Sequence, residues 1–252
     1  MACPPDHPSS PPALRDEIFQ TSAPSEFRFD EAVARVFPDM LRRSIPGYAT
    51  LLQLISVLSM QVVKSGTKVY DLGCSLGAVS LAVRHAVGTR DTEIVAVDSS
   101  PAMVERCRGI MNADSGLCPV QVLEGDIRSL SFAPCSLVVM NFTLQFIPVE
   151  ERPSILRRIS DALVPGGVLV ISEKTRSDDE CTADFYVEMH DAFRSQNGYS
   201  QIEMSRKREA LDKVLVPETP EKYMNWMEQA GLVPVEWFRA LQFVSWVGKK
   251  AP

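Results

Sequence analysis

Two glycines, Gly73 and Gly77, stand where a short apolar run gives way to a helical pattern, in the segment YDLGCSLG at residues 70–77. Glycine lets a backbone turn sharply and approach a ligand closely, and the free N–H groups of the helix that follows would face that ligand. The spacing Gly-x-x-x-Gly differs from the Gly-x-Gly-x-x-Gly of dinucleotide-binding turns, which disfavours a pyrophosphate cradle. A tight strand-to-helix turn without a ligand fits the same residues.

Three further polar residues follow apolar runs, where open α/β sheets bind their ligands. Asp98, 25 positions after the first glycine, ends the run IVAVD. It can accept hydrogen bonds from both hydroxyls of a ribose, and it can also cap the next helix. Asp126 could accept a bond from an adenine amino group while Ile127 packs on the ring, although a plain turn aspartate fits too. Asn141 ends a fourth run, and because it is neutral it cannot readily serve as a base.

Short apolar runs alternate with helical patterns from residue 68 onward. Strands are predicted at 68–72, 93–97, 120–123, 137–141 and 168–172, with helices at 76–87, 101–113 and 149–163. This alternation predicts parallel βαβ units and a sheet covered on both faces. A Pro-Gly-Gly at 165–167 is predicted to end the third helix. After a helix at 220–230, the runs 233–238 and 242–247 are too close for a helical crossover and predict an antiparallel hairpin.

The rest of the chain is predicted to be helical or disordered. A helix that starts at Asp30 is expected to end at Pro38, and a second is expected over 46–63 with proline in its first turn. Residues 178–216 are predicted to form a helical insertion. The first dozen residues hold five of the 18 prolines, so residues 1–26 are predicted to be a disordered tail. Residues 27–252 are predicted to form a single α/β domain, with N-terminal helices over 29–63.

Composition disfavours several classes of protein. The net charge of −6 and pI near 5.2 argue against a chain that coats nucleic acid through its overall field. No apolar run reaches the roughly 20 residues that a bilayer demands. The N-terminus lacks the apolar core of a signal peptide, which predicts a cytoplasmic protein. The six cysteines include no Cys-x-x-Cys pair, so they are expected to be reduced and mostly buried, with no metal site.

The strand-end residues and the final hairpin resemble the class I S-adenosyl-L-methionine (SAM)-dependent methyltransferase fold over about residues 65–250. That resemblance implies a Rossmann-like, mostly parallel seven-stranded sheet with a terminal antiparallel hairpin and added helices. The chain is more closely similar to the carboxy-SAM synthases. The segments that carry this likeness are FDE at 29–31, VFPDM at 36–40, RSIPGY at 43–48, YDLGCSLG at 70–77, NFTLQF at 141–146, SEK at 172–174, NGYS at 197–200 and KR at 207–208.

The closer resemblance implies a defined reaction. Such enzymes attach the carboxylate of prephenate to the methyl carbon of SAM and release phenylpyruvate, with prephenate supplying both the carbon dioxide and the base. SAM is then a substrate, and no metal is implied. A separate enzyme uses the carboxylated product to make 5-oxyacetyluridine at the wobble position of tRNA, so direct contact with tRNA or a membrane is not expected.

The resemblance also implies roles for ten positions. Ordered by the part of the ligand they would contact, they are Gly73, Cys74 and Ser75 for the methionine and ribose region, Asp98 and Ser99 for the ribose, Asp126 and Ile127 for the adenine, Asn141 beside the sulfonium, and Tyr48 and Arg208 for the added carboxylate. Ser99 stands where the family often has asparagine, and residues 175–179 and those before 27 also diverge. No catalytic base is assigned.

Other interpretations stay open at this point. The family is homodimeric, which implies a homodimer in which Arg208 can serve its own or the partner subunit's site. Composition alone favours a solvated helix face for the basic run at 206–208 and core packing for Tyr48. His190 and Asp191 are not a catalytic pair, because neighbours on a helix do not face each other. A conventional SAM-dependent methyltransferase and a non-enzymatic SAM-binding module are the alternative functions.

Overall fold

A seven-stranded sheet forms the centre of the computed structural model, which describes residues 14–21, 27–212 and 214–251. The strands are β1 (Thr67–Leu72), β2 (Thr92–Asp98), β3 (Val120–Glu124), β4 (Cys135–Asn141), β5 (Leu163–Lys174), β6 (Leu232–Ala240) and β7 (Phe243–Lys250). They lie side by side in the order β3-β2-β1-β4-β5-β7-β6. The first five are parallel, whereas β7 pairs antiparallel with both β5 and β6. The predicted fold class is confirmed.

Helices cover both faces of this sheet. They are α1 (Ile18–Thr21), α2 (Glu31–Ser44), α3 (Tyr48–Val62), α4 (Ala78–Val87), α5 (Pro101–Ala113), α6 (Arg152–Ala162), α7 (Glu180–Gln196), α8 (Gln201–Leu211) and α9 (Pro220–Gln229). Along β4, Leu137 and Val139 join a core with α3 and α4, whereas Val138 and Met140 join a core with α6 and α9. Alternate residues of a strand point to opposite faces, so a strand buried on both faces is apolar throughout.

The start of β5 corrects one prediction. The strand begins at Leu163, directly after α6, and therefore contains the Pro-Gly-Gly segment that was expected to end the helix and form a turn. Leu163 pairs with Cys135, and Val168 pairs with Leu137, so the residues between them lie in a register shift. Such an irregularity accommodates extra residues without ending the strand, and glycine and proline are tolerated there.

The two N-terminal helices correct two more boundaries. α2 continues through Pro38, because its buried apolar face packs in the core and outweighs the loss of one backbone hydrogen bond. α3 starts at Tyr48, two residues later than predicted, since Gly47 has a φ of +74° and cannot belong to a right-handed helix. In the described part of the chain, no single helix meets the length and hydropathy expected of a membrane span. α2 and α3 meet that test only as a pair, and they join at a 97° bend.

Residues 14–21 correct the prediction of a disordered tail over 1–26. Asp16 and Phe19 in this segment are each only 1% exposed. Phe19 packs in a cluster with α2, and Asp16 forms an ion pair with Lys207 on α8. Sequence reasoning did not predict this order because only two of the described side chains in the segment are buried. Two buried positions are too few to produce a periodic pattern. The remainder of the predicted tail, 1–13 and 22–26, lies outside the described residues.

Two capped helices occupy the segment predicted as a helical insertion. The Asp179 side chain accepts a hydrogen bond from the Thr182 N–H at 2.8 Å at the start of α7. Ser200 and Glu203 form a reciprocal capping box at the start of α8. These caps satisfy N–H groups in the first turn of each helix. Residues of both helices line the cavity at the carboxyl ends of the parallel strands.

Candidate active site

The carboxyl ends of the parallel strands open into a cavity of about 770 Å³. Strands β3, β2, β1, β4 and β5 are consecutive in the sheet, so the residues that follow them span about four strand spacings, roughly 19 Å. All ten residues that the resemblance singled out line this cavity: Tyr48, Gly73, Cys74, Ser75, Asp98, Ser99, Asp126, Ile127, Asn141 and Arg208. The fold therefore brings together residues that are up to 160 positions apart.

The turn after β1 forms part of the cavity wall. Gly73 has a φ of +75°, and a Cβ at this position would collide with the Thr143 side chain. The N–H groups of Gly73 and Cys74 both donate to the Val97 carbonyl, at 2.8 and 3.0 Å. Glycine is thus required at residue 73 for two reasons, its left-handed backbone and the close approach of a neighbouring loop.

Asp98 connects two backbone segments beside the cavity. One carboxylate oxygen accepts the Ser75 N–H at 2.9 Å, and the other accepts the Ser100 N–H at 2.9 Å. Ser100, not Asp98, caps α5. Burial raises the pKa of the Asp98 carboxyl, although these hydrogen bonds oppose the rise. The Ser99 N–H also acts on this carboxylate. A carboxylate has about four acceptor positions, so at least one remains for a ligand.

The residues after β3 are more open to solvent. Asp126 pairs with Arg128 at 2.6 Å, and this guanidinium holds the pKa of the Asp126 carboxyl below its usual range. Ile127 is buried and belongs to the main core, whereas Ser99 is exposed. This part of the cavity offers one apolar surface and one hydrogen-bond acceptor that already has an internal partner.

Asp71 is a buried acid near the centre of the cavity that the sequence analysis gave no role. Its carboxylate accepts hydrogen bonds from the N–H and the hydroxyl of Ser80, at 3.0 and 2.6 Å. Burial raises the pKa of this carboxyl to about 6. Tyr48, at the start of α3, lies close enough that the charge of Asp71 adds to the effect of burial in raising the pKa of its phenol.

The loop after β4 is held by a second buried acid, Glu173. Its carboxylate accepts the N–H groups of Thr143, Leu144 and Gln145, at 3.2, 2.7 and 3.3 Å. The side chain is fully buried, and burial raises its pKa to about 8. Within the described residues, the Oδ1 atom of Asn141, just before this loop, is buried and has no hydrogen-bond partner.

The opposite end of the cavity is basic. Arg208 on α8 donates through one terminal nitrogen to both oxygens of Asp191 on α7, at 3.0 and 2.7 Å. Arg194 contacts the same carboxylate from within α7. One carboxylate therefore faces two guanidinium groups, and the side chain of Arg208 remains 48% exposed.

Neighbouring side chains fix the position of α8. The Lys207 ammonium donates to the Ser44 hydroxyl at 2.9 Å and to Asp16 at 3.4 Å. Burial lowers its pKa to about 8. His190 contacts the Ser44 carbonyl at 2.8 Å, and burial lowers its pKa to about 3. Its ring nitrogen thus bonds to α2 and not to Asp191, in agreement with the rejected pairing.

The sulfur groups and acids of the site give no metal cluster in the described residues. No group of three or more His, Cys, Asp or Glu side chains in 14–21, 27–212 and 214–251 could share a metal ion. Four of the five described cysteines are buried as free thiols, and Cys181 is exposed. Cys74 is among the buried ones, beside the glycine turn.

A family model described as a methyltransferase domain matches residues 69–167. A carboxy-S-adenosyl-L-methionine synthase of Marinobacter nauticus is 45% identical over 242 residues, which are 95% of this chain and 97% of that protein. The chain belongs to the carboxy-SAM synthase family. Synthases of the same name from Pseudomonas savastanoi (48% identity, 87% of this chain, 91% of theirs) and Klebsiella pneumoniae (43%, 94% and 97%) agree.

Solved structures show that this carboxy-SAM synthase family member shares its fold with methyltransferases. An O-methyltransferase family protein from Burkholderia thailandensis superposes with a TM-score of 0.61 at 19% identity, over 95% of this chain and 64% of that one. Human N-acetylserotonin methyltransferase, solved in complex with SAM, gives 0.59 at 15% identity, over 88% and 56%. At these identities the likeness concerns the fold alone.

Sequence reasoning missed four side chains that shape or line the cavity of this family member: Asp71, Lys174, Arg194 and Glu173. Lys174 and Glu173 lie in one of the segments that carried the resemblance, and Asp71 lies in another, but no role followed from the segments themselves. Arg194 had no signal, because an arginine on a charged helix usually faces solvent.

Proposed function

We propose that this protein is a carboxy-SAM synthase that carboxylates the methyl group of SAM with a carboxylate taken from prephenate and releases phenylpyruvate. The observation that carries the proposal is that one cavity joins acidic acceptors after β2 and β3 to a cluster of cations on α7, α8 and β5. Transfer of a methyl group requires no cation dedicated to that group. A carboxylated product places a new anion beside the sulfonium, and a guanidinium matches that anion.

The acidic end holds the nucleoside part of SAM in this proposal. Asp98 accepts hydrogen bonds from the ribose hydroxyls with the acceptor capacity that its backbone N–H donors leave free, and Ser99 lies beside it. Ile127 packs against the adenine, and Asp126 accepts from its amino group. The turn formed by Gly73, Cys74 and Ser75 lies along the ribose and methionine, which places the methyl group near Asn141.

The basic end holds the new carboxylate. Arg208 binds Asp191 through one terminal nitrogen only, and among the described residues its other nitrogens have no partner, so part of the guanidinium fork is available. A carboxylate accepts from such a fork in a bidentate manner. The Tyr48 hydroxyl is the second donor, and burial together with the nearby Asp71 keeps it protonated by raising its pKa.

Prephenate supplies the carbon dioxide, and the ring hydroxyl that it loses on becoming aromatic leaves as the base that takes a proton from the SAM methyl group and ends as water. Among the residues that the structure describes, none near that position is a clear base. Asn141 is neutral, and Asp71 and Asp98 already accept hydrogen bonds from the protein. The protein's own part is to orient SAM, to place prephenate beside its methyl group and to stabilise the anions.

The wider setting is also part of the proposal. The protein works in the cytoplasm without touching tRNA, and a separate enzyme uses its product to modify the wobble uridine. It acts as a homodimer. Four large apolar side chains on α7 and α8 support an association surface, because they are 42–61% exposed: Phe185, Val187, Met189 and Ile202.

Turnover tests the proposal. Purified protein is incubated with SAM, with and without prephenate, and the products are identified by mass spectrometry. We expect a nucleoside heavier than SAM by one carboxyl group, together with phenylpyruvate, and only when prephenate is present. Formation of S-adenosylhomocysteine with a methylated acceptor would identify a conventional methyltransferase, and SAM binding without any turnover would identify a binding module.

A further inference from the structure

Lys174 differs from the other lysines in the described part of the chain. Five other lysines donate from the ammonium to a carboxylate, a hydroxyl or a backbone carbonyl: Lys64, Lys68, Lys207, Lys222 and Lys250. Lys249 lies exposed on β7. Lys174 is half-buried and lines the cavity, yet its ammonium forms no ion pair or hydrogen bond with any described residue.

The position of Lys174 is well defined by its backbone. It is the last residue of β5, where its N–H donates to the Gln145 side-chain oxygen at 3.1 Å and its Cα pairs with Phe243 of β7. β5 lies next to β4, so Lys174 is close to the end of the strand that carries Asn141. Lys174 therefore belongs to the half of the cavity beyond the expected methyl group of SAM.

Two arginines and two aspartates act on the ammonium of Lys174. Burial and the charges of Arg194 and Arg208 lower the pKa of its ammonium, and Asp191 and Asp212 oppose this only in part. Asp191 is already shared by the two arginines, and Asp212 is exposed. An ammonium withdrawn from water without a partner is costly, and a bound anion would remove that cost.

We propose that Lys174 binds the carboxylate of the second substrate that is not transferred, the one retained by the 2-oxo acid by-product. This inference rests on the proposed function, in which the second substrate is a dicarboxylate. Arg208 and Tyr48 are assigned to the carboxylate that moves to SAM, so the carboxylate that stays behind requires a different cation. Lys174 is the cation of this half of the cavity that has no internal partner among the described residues.

Substitution of Lys174 tests this assignment. Lys174→Met is expected to raise the KM for prephenate about 10- to 50-fold, the size of a lost charge-assisted hydrogen bond, with a smaller change in kcat. The inhibition constant of phenylpyruvate should rise in parallel, because the by-product keeps the same carboxylate. The dissociation constant of SAM, measured by calorimetry, should stay within about twofold. Lys174→Arg should restore part of the loss.

Matched variants keep the test interpretable. Lys249→Met removes the same charge from an exposed position outside the cavity and should change none of these constants, and Lys174→Gln provides a polar neutral variant if the methionine impairs folding. Weaker SAM binding at an unchanged KM for prephenate would overturn the assignment and place the methionine carboxylate of SAM at Lys174. The assignment would also be overturned if the KM for prephenate and the inhibition constant of phenylpyruvate were the same for Lys174→Met as for Lys249→Met. A wild-type protein that makes no carboxy-SAM would instead refute the proposed function, and this inference with it.

Discussion

The acidic and the basic ends of the cavity are built in different ways. At the acidic end, Asp98 and Asp126 directly terminate or follow strands of the parallel sheet, and backbone N–H groups help to fix them. At the basic end, Arg194 and Arg208 project from α7 and α8. Those helices are held by side-chain contacts, such as the buried pair between Lys207 and Asp16.

This difference indicates that the acidic end depends on the shared sheet, whereas the basic end depends on the helices α7 and α8. The sheet end is built on a strand ladder that this chain shares with methyltransferase structures of the same fold. The helical end can change its side chains without disturbing the sheet, so it is the place where a different chemistry can be accommodated. In this chain that end has two guanidinium groups and the Lys174 ammonium, which has no partner among the described residues.

The largest expected effect concerns the acidic end. Asp98→Ala should weaken the binding of SAM and of carboxy-SAM equally, by about 1.5–3 kcal/mol. The substitution removes a charged acceptor for the ribose hydroxyls that both ligands carry. Asp98→Asn, which keeps one acceptor oxygen, should lose less. Calorimetry with both ligands checks this, and an unchanged affinity in a folded Asp98→Ala protein would remove this residue from the site.

A more selective effect is expected at the basic end. Arg208→Ala should weaken the binding of carboxy-SAM about 10- to 50-fold more than the binding of SAM, since only carboxy-SAM carries the carboxylate that we assign to this guanidinium. Lys at this position keeps the charge but loses the planar fork, and should recover part of the discrimination. The ratio of the two dissociation constants is the relevant measurement. A ratio that stays constant across wild type, Lys and Ala would mean that another group holds the carboxylate.

The loop between the two ends should respond to pH. Burial raises the pKa of Glu173 to about 8 from an ordinary value of 4.5, so between these values the folded protein keeps a proton that the unfolded chain has lost. The protonated Glu173 carboxyl therefore contributes most to the free energy of unfolding below the unfolded pKa. Between the two pKa values, the free energy of unfolding falls by about 1.4 kcal/mol for each unit that the pH rises. Denaturant unfolding at several pH values should show a shallower fall for Glu173→Gln. Identical slopes would contradict the raised pKa.

The smallest effect is expected for Asp126. The Asp126 carboxylate is partly exposed and already pairs with Arg128. Asp126→Ala should therefore weaken SAM binding by less than about 1 kcal/mol. SAM and carboxy-SAM should be affected alike. A loss as large as that of Asp98→Ala would show that the Arg128 pair breaks when the ligand binds and that Asp126 holds the adenine alone.

Much of the sheet and of its acidic end could be predicted from sequence. Strand ends such as Asp98 follow apolar runs with a fixed period, and the glycine turn at Gly73 has a local chemical signature. The boundaries that failed depended on tertiary packing. α2 continues through Pro38 because its buried face outweighs one missing hydrogen bond, and the 14–21 segment is ordered by isolated contacts such as that of Phe19.

The basic end could not be assembled from sequence by the same reasoning. Arg194, Arg208 and Lys174 belong to three different elements, and no periodic pattern shows that these elements meet. The resemblance supplied Arg208, but it gave no role to Lys174. That Lys174 has no partner in the described part of the chain is visible only once the surrounding side chains are placed. There, a lysine in the sequence does not by itself indicate a binding site. The indication comes from a charged group that is partly buried without a partner among the described residues.

In the proposed reaction, the carboxylate of prephenate is transferred to the methyl carbon of SAM within this cavity. The most direct test uses prephenate with an isotopic label in its ring carboxylate, and fragment mass spectrometry of the nucleoside product. We expect the label in a carboxyl group on the former methyl carbon and none of it in phenylpyruvate. A label recovered only as free carbon dioxide, with SAM unchanged or its methyl group moved to another acceptor, would contradict it.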